Sequence, residues 1–180
     1  MKLRFSFITM LCLFITSASA QNSFYDFDIE TIDGKDFNLN ELKGKKVMVV
    51  NVASKCGLTP QYEQLQEIYE MYGGDDFVII GFPANNFMSQ EPGTNAEIKT
   101  FCTKNYGVTF PIMSKISVKG DDIHPLYKWL TTKSLNNLSD NTVKWNFQKY
   151  LINENGQLEK VISPKTKPND EEIINWINKS

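Results

Sequence analysis

Lys46-Val47-Met48-Val49-Val50-Asn51-Val52-Ala53-Ser54-Lys55-Cys56-Gly57-Leu58-Thr59-Pro60 decides the fold. Residues 46–53 form a nearly continuous apolar run, the pattern of a strand buried on both faces of a sheet. A short polar stretch follows. Thr59 and Pro60 then open a helix over 59–72, with Thr59 as N-cap and Pro60 at the first helical position, where its missing N–H costs nothing. Tyr62, Leu65, Tyr69 and Tyr72 line one side at helical spacing, and Gly73-Gly74 stops the helix. A second apolar strand, residues 77–82 (FVIIGF), closes at Pro83. Strand, helix and strand make a βαβ unit whose crossover is right-handed.

Upstream of this unit, residues 24–42 alternate loosely around Asp33-Gly34, which predicts an opening β-hairpin. Downstream, Thr94-Asn95-Ala96-Glu97 is a capping box that opens a helix to about Tyr106, with Gly107 as its stop. Ile98, Phe101 and Cys102 share one face of that helix. Residues 110–113 read as a short extended piece and residues 125–132 as helix. Residues 147–153 and 157–162 form a hairpin about a turn at Glu154-Asn155-Gly156, and residues 169–178 form a last amphipathic helix. A βαβ half joined to a ββα half is the thioredoxin arrangement. The expected fold is therefore α/β, thioredoxin-like, with a mixed central β-sheet flanked by helices, in one domain over residues 21–180.

The first 20 residues stand outside that domain. Lys2 and Arg4 precede an apolar stretch, FSFITMLCLFI, and Thr16-Ser17-Ala18-Ser19-Ala20 ends in an A-x-A pattern. That order reads as a secretory signal peptide cleaved after Ala20, and implies an exported protein in a periplasmic or secreted location. The apolar run is shorter than the roughly 20 residues a spanning helix needs. Cys12 lies within it, with no lipobox pattern before it, and no role is expected for it. The chain of 180 residues carries a net charge of −2, and Lys2 and Arg4 are the only charges in the first 20, so the remainder is more acidic still. An acidic domain without basic runs is a poor nucleic-acid ligand and is not drawn to anionic membranes.

Beyond the signal, two cysteines remain, Cys56 and Cys102. In an exported chain two cysteines commonly form one structural disulfide. The setting of Cys56 argues for reactivity instead. It follows the carboxyl end of a central strand, where sites collect in α/β sheets, and it precedes a helix whose free N–H groups and partial positive charge stabilise a thiolate. Lys55 adjoins it, and Gly57 leaves room for a substrate. The sequence C-G-L-T places Thr59 where a dithiol exchanger has its second cysteine, so Cys56 needs a partner elsewhere.

These residues resemble the glutathione peroxidase family in its cysteine-containing form. The resemblance extends from about Phe27 to Trp176 and is carried by Asn51-Val52-Ala53-Ser54-Lys55-Cys56-Gly57-Leu58-Thr59, Gly81-Phe82-Pro83-Ala84-Asn85-Asn86-Phe87, Gln90-Glu91-Pro92-Gly93 and Lys144-Trp145-Asn146-Phe147. It implies a thiol peroxidase that reduces hydrogen peroxide and organic, including lipid, hydroperoxides. Cys56 is similar to the peroxidatic residue, and Trp145 and Asn146 to two of its hydrogen-bonding partners. Indole and amide N–H groups are donors suited to a thiolate and to the oxygen-bearing transition state. Asn86 stands where the family usually has Gln as the third polar partner, so the resemblance makes Asn86 the candidate third donor to the thiolate; it keeps the amide on an arm one methylene shorter, and Gln90 is a possible substitute.

The resemblance also implies that Cys102 is the resolving cysteine of thioredoxin-dependent members. It would condense with the Cys56 sulfenic acid. A further family cysteine is replaced by Ala84. Cys102 is expected mid-helix on an apolar face, whereas a disulfide needs Cα atoms within about 7 Å, so the helix has to open locally. The short connection between Leu130 and Lys144 resembles the mostly monomeric type. No Arg occurs after Arg4, so bidentate contacts to a glutathione carboxylate are absent. The expected reductant is a thioredoxin-like protein ahead of glutathione.

No cofactor and no metal is expected. His124 is the single histidine; it precedes Pro125 at a helix start and is a poor base for a cysteine hydrolase. One His and two Cys fall short of a metal site. Two rival functions are an exported thiol–disulfide exchanger, against which Thr59 speaks, and a noncatalytic thioredoxin-fold binding module.

Overall fold

The computed structural model describes residues 23–179. The expected signal peptide and Cys12 lie outside the described residues. Strand β1 (Ile29–Glu30) pairs antiparallel with β2 (Asp36–Phe37). The hairpin expected over residues 24–42 is thus only two residue pairs long. Single 3-10 turns at Phe24–Asp26 and Leu39–Leu42 take up its arms, because Ser23 and Asn38 each cap the turn that follows with a side-chain oxygen.

The main sheet has the order β4-β3-β5-β6. Strand β3 (Lys46–Val52) lies at its centre, parallel to β4 (Phe77–Pro83) and antiparallel to β5 (Lys149–Ile152); β6 (Leu158–Ile162) closes the edge beyond β5. The sheet is mixed, as expected. Every residue of β3 and β4 is buried, which explains the uninterrupted apolar runs. Val47 and Val49 enter the core on one face with Tyr127 and Trp129, while Met48, Val50 and Val52 enter the core on the other with Tyr62, Leu65, Ile98 and Trp176. Each fully buried Val or Leu contributes about 1.5–3 kcal/mol.

Helices α1 (Gln61–Tyr72), α2 (Asn95–Tyr106) and α5 (Glu171–Asn178) supply the core that contains Cys56. The opposite face receives α3 (Pro125–Thr131). The capping box of α2 forms as expected, and Gly107 ends the helix in the left-handed region at φ 60°. A one-turn helix α4 (Lys133–Asn136) follows α3 directly; its length is too short for an apolar period to announce it. Helix α1 starts two residues later than expected. Residues 56–63 instead wind in by successive i to i+3 bonds, among them Thr59 N–H to Cys56 O and Tyr62 N–H to Thr59 O. Thr59 spends its side chain on the preceding loop.

Candidate active site

The loop between β3 and α1 is held from within and from outside. The Cys56 N–H donates to Thr59 Oγ1 at 3.0 Å, and Thr59 Oγ1 donates to Ala53 O at 2.8 Å. The residue that replaces an exchanger's second cysteine is therefore the clasp of the loop. Leu58 N–H donates to Cys56 Sγ at 3.4 Å, placing a backbone donor on the sulfur. Cys56 is 8% exposed. A Cβ at Gly57 would meet nothing within 4 Å, so the position that follows Cys56 faces open space.

From outside, Lys55 N–H donates to Gln90 O at 3.0 Å, and Ser54 Oγ donates to the Glu91 carboxylate. Glu91 is fully buried, and burial pushes its carboxyl up from the usual range. Lys115 Nζ reaches the carbonyls of Glu91 and Gly93. The Gln90-Glu91 pair is thus a brace for the Cys56 loop. The signal for it in the sequence is the Gln90-Glu91-Pro92-Gly93 motif; its partners are set by tertiary contacts that local sequence does not encode.

Trp145 and Asn146 arrive from a different part of the chain. Antiparallel pairing sets the start of β5 beside the end of β3, with Val50 opposite Lys149. Asn51 then clamps the approaching segment: its amide donates to Trp145 O at 3.1 Å, and its carbonyl accepts from Phe147 N–H at 2.6 Å. Trp145 is half-buried, packs on the core that contains Cys56, and lies 5.3 Å from the Phe87 ring. Asn146 is fully buried and donates from Nδ2 to Gln90 Oε1 at 2.9 Å. Gln90 therefore joins Asn146 to the Cys56 loop. Phe147 adopts a left-handed φ of 66°, a conformation that costs a bulky residue about 1–3 kcal/mol and gathers at functional sites.

Asn86 is not part of this assembly. Its Nδ2 donates to Ser117 Oγ and Lys119 O, both at 2.9 Å, and its Oδ1 accepts from Val118 N–H at 2.9 Å. Both amide hydrogens are committed, so the expected third donor to the thiolate is corrected: the short arm pins residues 117–119. Accordingly, Asn86→Ala is expected to leave the second-order rate with hydrogen peroxide within about twofold of the parent, whereas Asn146→Ala lowers it about tenfold or more. Stopped-flow peroxide consumption checks both.

Cys102 sits mid-helix in α2 at 2% exposure, on the apolar face expected for it. Cys56 and Cys102 are both free thiols. Desolvation pushes the Cys102 thiol up to about 11, so in the docked helix it is protonated. A cleft of about 410 Å³ lined by Ser54, Lys55, Pro92, Glu97, Ile98 and Phe101 separates the Cys56 loop from α2. His124 caps α3 through Nδ1, which accepts from Leu126 N–H. Among the described residues no group of three or more His, Cys, Asp or Glu is placed to hold a metal, and no helix is long and apolar enough to cross a membrane.

Comparison with known proteins bears on the family and the fold. Residues 24–131 match the family model described as Glutathione peroxidase. The chain is 46% identical over 159 residues to glutathione peroxidase-like peroxiredoxin 2 of Saccharomyces cerevisiae, covering 87% of this chain and 98% of that protein. The apo crystal structure of Trgpx superposes with a TM-score of 0.67 at 41% identity, covering 88% of this chain and 97% of that one. A thiol:disulfide interchange protein of the thioredoxin family from Chlorobium tepidum shares the fold alone, at 22% identity and a TM-score of 0.53, covering 84% and 92% of the two chains. By its fold, its motifs and these matches, the chain belongs to the glutathione peroxidase family.

Proposed function

We propose that this protein is a thiol peroxidase, an oxidoreductase that reduces hydroperoxides through Cys56. The observation that carries the reading is the Cys56 sulfur itself: it sits just past the carboxyl end of β3, receives the Leu58 N–H, and is followed by Gly57, whose α-carbon faces open space. The Cys56 thiolate attacks the terminal oxygen of the hydroperoxide. The S–O bond forms, the O–O bond breaks, and the leaving alkoxide or hydroxide takes a proton to give alcohol or water. Cys56 is left as a sulfenic acid. Trp145 and Asn146 are the side chains brought beside this loop to support the developing charge, with Gln90 holding Asn146 in place.

The second half-reaction uses Cys102. Once α2 opens, the Cys102 thiol attacks the sulfenic sulfur, water leaves, and a Cys56–Cys102 disulfide forms. A thioredoxin-like dithiol protein then reduces that disulfide. The absence of any Arg after Arg4 supports this donor over glutathione. The short segment between α3 and β5, which holds only the single turn of α4, supports a monomer. The pattern of residues 1–20 supports export with cleavage after Ala20; N-terminal sequencing of protein recovered from outside the cytoplasm should begin at Gln21.

The decisive experiment couples the protein to a thioredoxin and follows its oxidation with hydrogen peroxide and with a lipid hydroperoxide. A peroxidase oxidises thioredoxin only when peroxide is present. An exchanger works on disulfide substrates without peroxide, and a binding module does neither; either result overturns the proposal.

A further inference from the structure

Residues 87–90 form a turn closed by Gln90 N–H, which donates to Phe87 O at 3.1 Å. Both central residues are left-handed, Met88 at φ 51° and Ser89 at φ 52°. Turns of that kind belong to Asn, Asp and Gly, because other side chains strain the backbone there. Both ends of the turn are built into the site. Phe87 is buried with its ring against Trp145. Gln90 accepts from Lys55 N–H through its carbonyl and from Asn146 through its side chain. Asn86, just before the turn, ties it to residues 117–119. Met88 is the tip, and it is 79% exposed.

Met88 thus serves neither the backbone nor the core. An Asn-Gly pair would make the turn without strain, and a side chain left in water adds nothing to packing. Backbone strain of this kind gathers at functional sites. The site leaves two further apolar side chains half-buried: Leu58, whose N–H is on the sulfur, and Trp145. A hydroperoxide that meets Cys56 with its terminal oxygen carries its carbon skeleton on the other oxygen, so that skeleton points away from the sulfur toward the rim. Hydrogen peroxide has no such part.

We propose that Met88 is a specificity-determining residue: from the tip of a strained turn braced on the Cys56 loop, its side chain packs against the carbon chain of a long-chain organic hydroperoxide whose terminal oxygen is at Cys56. This rests on the peroxidase reading above. An unbranched, polarisable thioether suits a chain without fixed shape. The contact takes apolar surface from water only when the substrate has a chain. It therefore sets the preference among peroxides and takes no part in breaking the O–O bond.

Met88→Gln and Met88→Gly test it. The first keeps the length of the side chain and loses its apolar character; the second removes the side chain and suits the left-handed backbone. Second-order rates of Cys56 oxidation are read by stopped flow with hydrogen peroxide and with linoleic acid hydroperoxide kept below micelle formation. Both variants should hold the hydrogen peroxide rate within about twofold of the parent. Both should lower the fatty-acid hydroperoxide rate about fivefold, the scale of about one methylene kept from water. Both should melt within a few degrees of the parent, and their disulfides should be reduced by thioredoxin at the parent rate. An equal fall for the two peroxides would overturn the proposal, since the turn would then act through the Gln90 brace. So would an unchanged fatty-acid hydroperoxide rate, or a slowed thioredoxin step as the only effect, which would make Met88 a contact for the reductant. A large loss of melting temperature would overturn it too, by making Met88 a packing residue. A failure of the peroxidase reading would instead appear as a parent Cys56 that reacts with neither peroxide.

Discussion

Cys56→Ser abolishes hydroperoxide reduction, with the rate falling by a factor on the order of a thousand or more, as loss of a nucleophile does. The thiolate is the attacking species, and a serine hydroxyl does not ionise in the range where a thiol does. The loop itself should survive the change. Its clasp runs through the Cys56 backbone N–H and Thr59 Oγ1, and its brace runs through Lys55 N–H and Ser54 Oγ; none of these uses the sulfur. The variant is thus expected to melt within a few degrees of the parent while consuming no peroxide in stopped-flow assays. Residual consumption near the parent rate would place the chemistry at another residue.

Cys102→Ala separates the two half-reactions. The first equivalent of peroxide should be consumed at the parent rate within about twofold. Steady-state turnover with a thioredoxin donor should then fall about a hundredfold, since the sulfenic acid has no internal thiol to meet. The pH dependence of the parent carries the same logic. Docked in α2, the Cys102 thiol is held at about 11. Released from the core it returns to the ordinary value near 8.5. Below about 8.5 both forms keep their proton, so docking has no linkage to pH. Between about 8.5 and 11 the open form loses its proton and the docked form does not, so docking is progressively lost as pH rises. Disulfide formation in quenched samples should therefore accelerate through about pH 8.5, and the protection of the α2 amides, taken relative to base-catalysed intrinsic exchange, should fall over that range in the parent and not in Cys102→Ala. A parent profile that stayed flat to pH 10 would mean that Cys102 does not titrate on opening.

What sequence conveyed was mostly local. The buried runs of β3 and β4, the capping box at Thr94 and the Gly107 stop depend on neighbours in the chain, and all formed as expected. Thr59 looks like an N-cap in sequence because cap residues look alike there; only the folded loop shows that its hydroxyl turns back to Cys56 N–H and Ala53 O. The opening hairpin is shorter than its alternation predicts, because alternation does not distinguish a long ladder from two residue pairs flanked by 3-10 turns. Asn86 shows a different limit. A family position names a residue type, whereas the partners of that residue depend on which segment packs beside it, here residues 117–119. The Gln90–Asn146 bond joins residues 56 positions apart, and no periodicity reports such a pairing.

The antiparallel pairing of β3 with β5 also bears on how the chain is made. The nucleophile and its clasp are complete once residues 46–62 have wound into place, but Trp145, Asn146 and the Asn51 clamp require β5, which lies within the last 32 residues of the chain. During synthesis the N-terminal portion emerges first. A nascent or truncated chain ending before β5 would carry Cys56 without its assembled surroundings, and catalytic competence would appear only when the C-terminal quarter docks. Assembly of the site therefore doubles as a report that synthesis has passed β5.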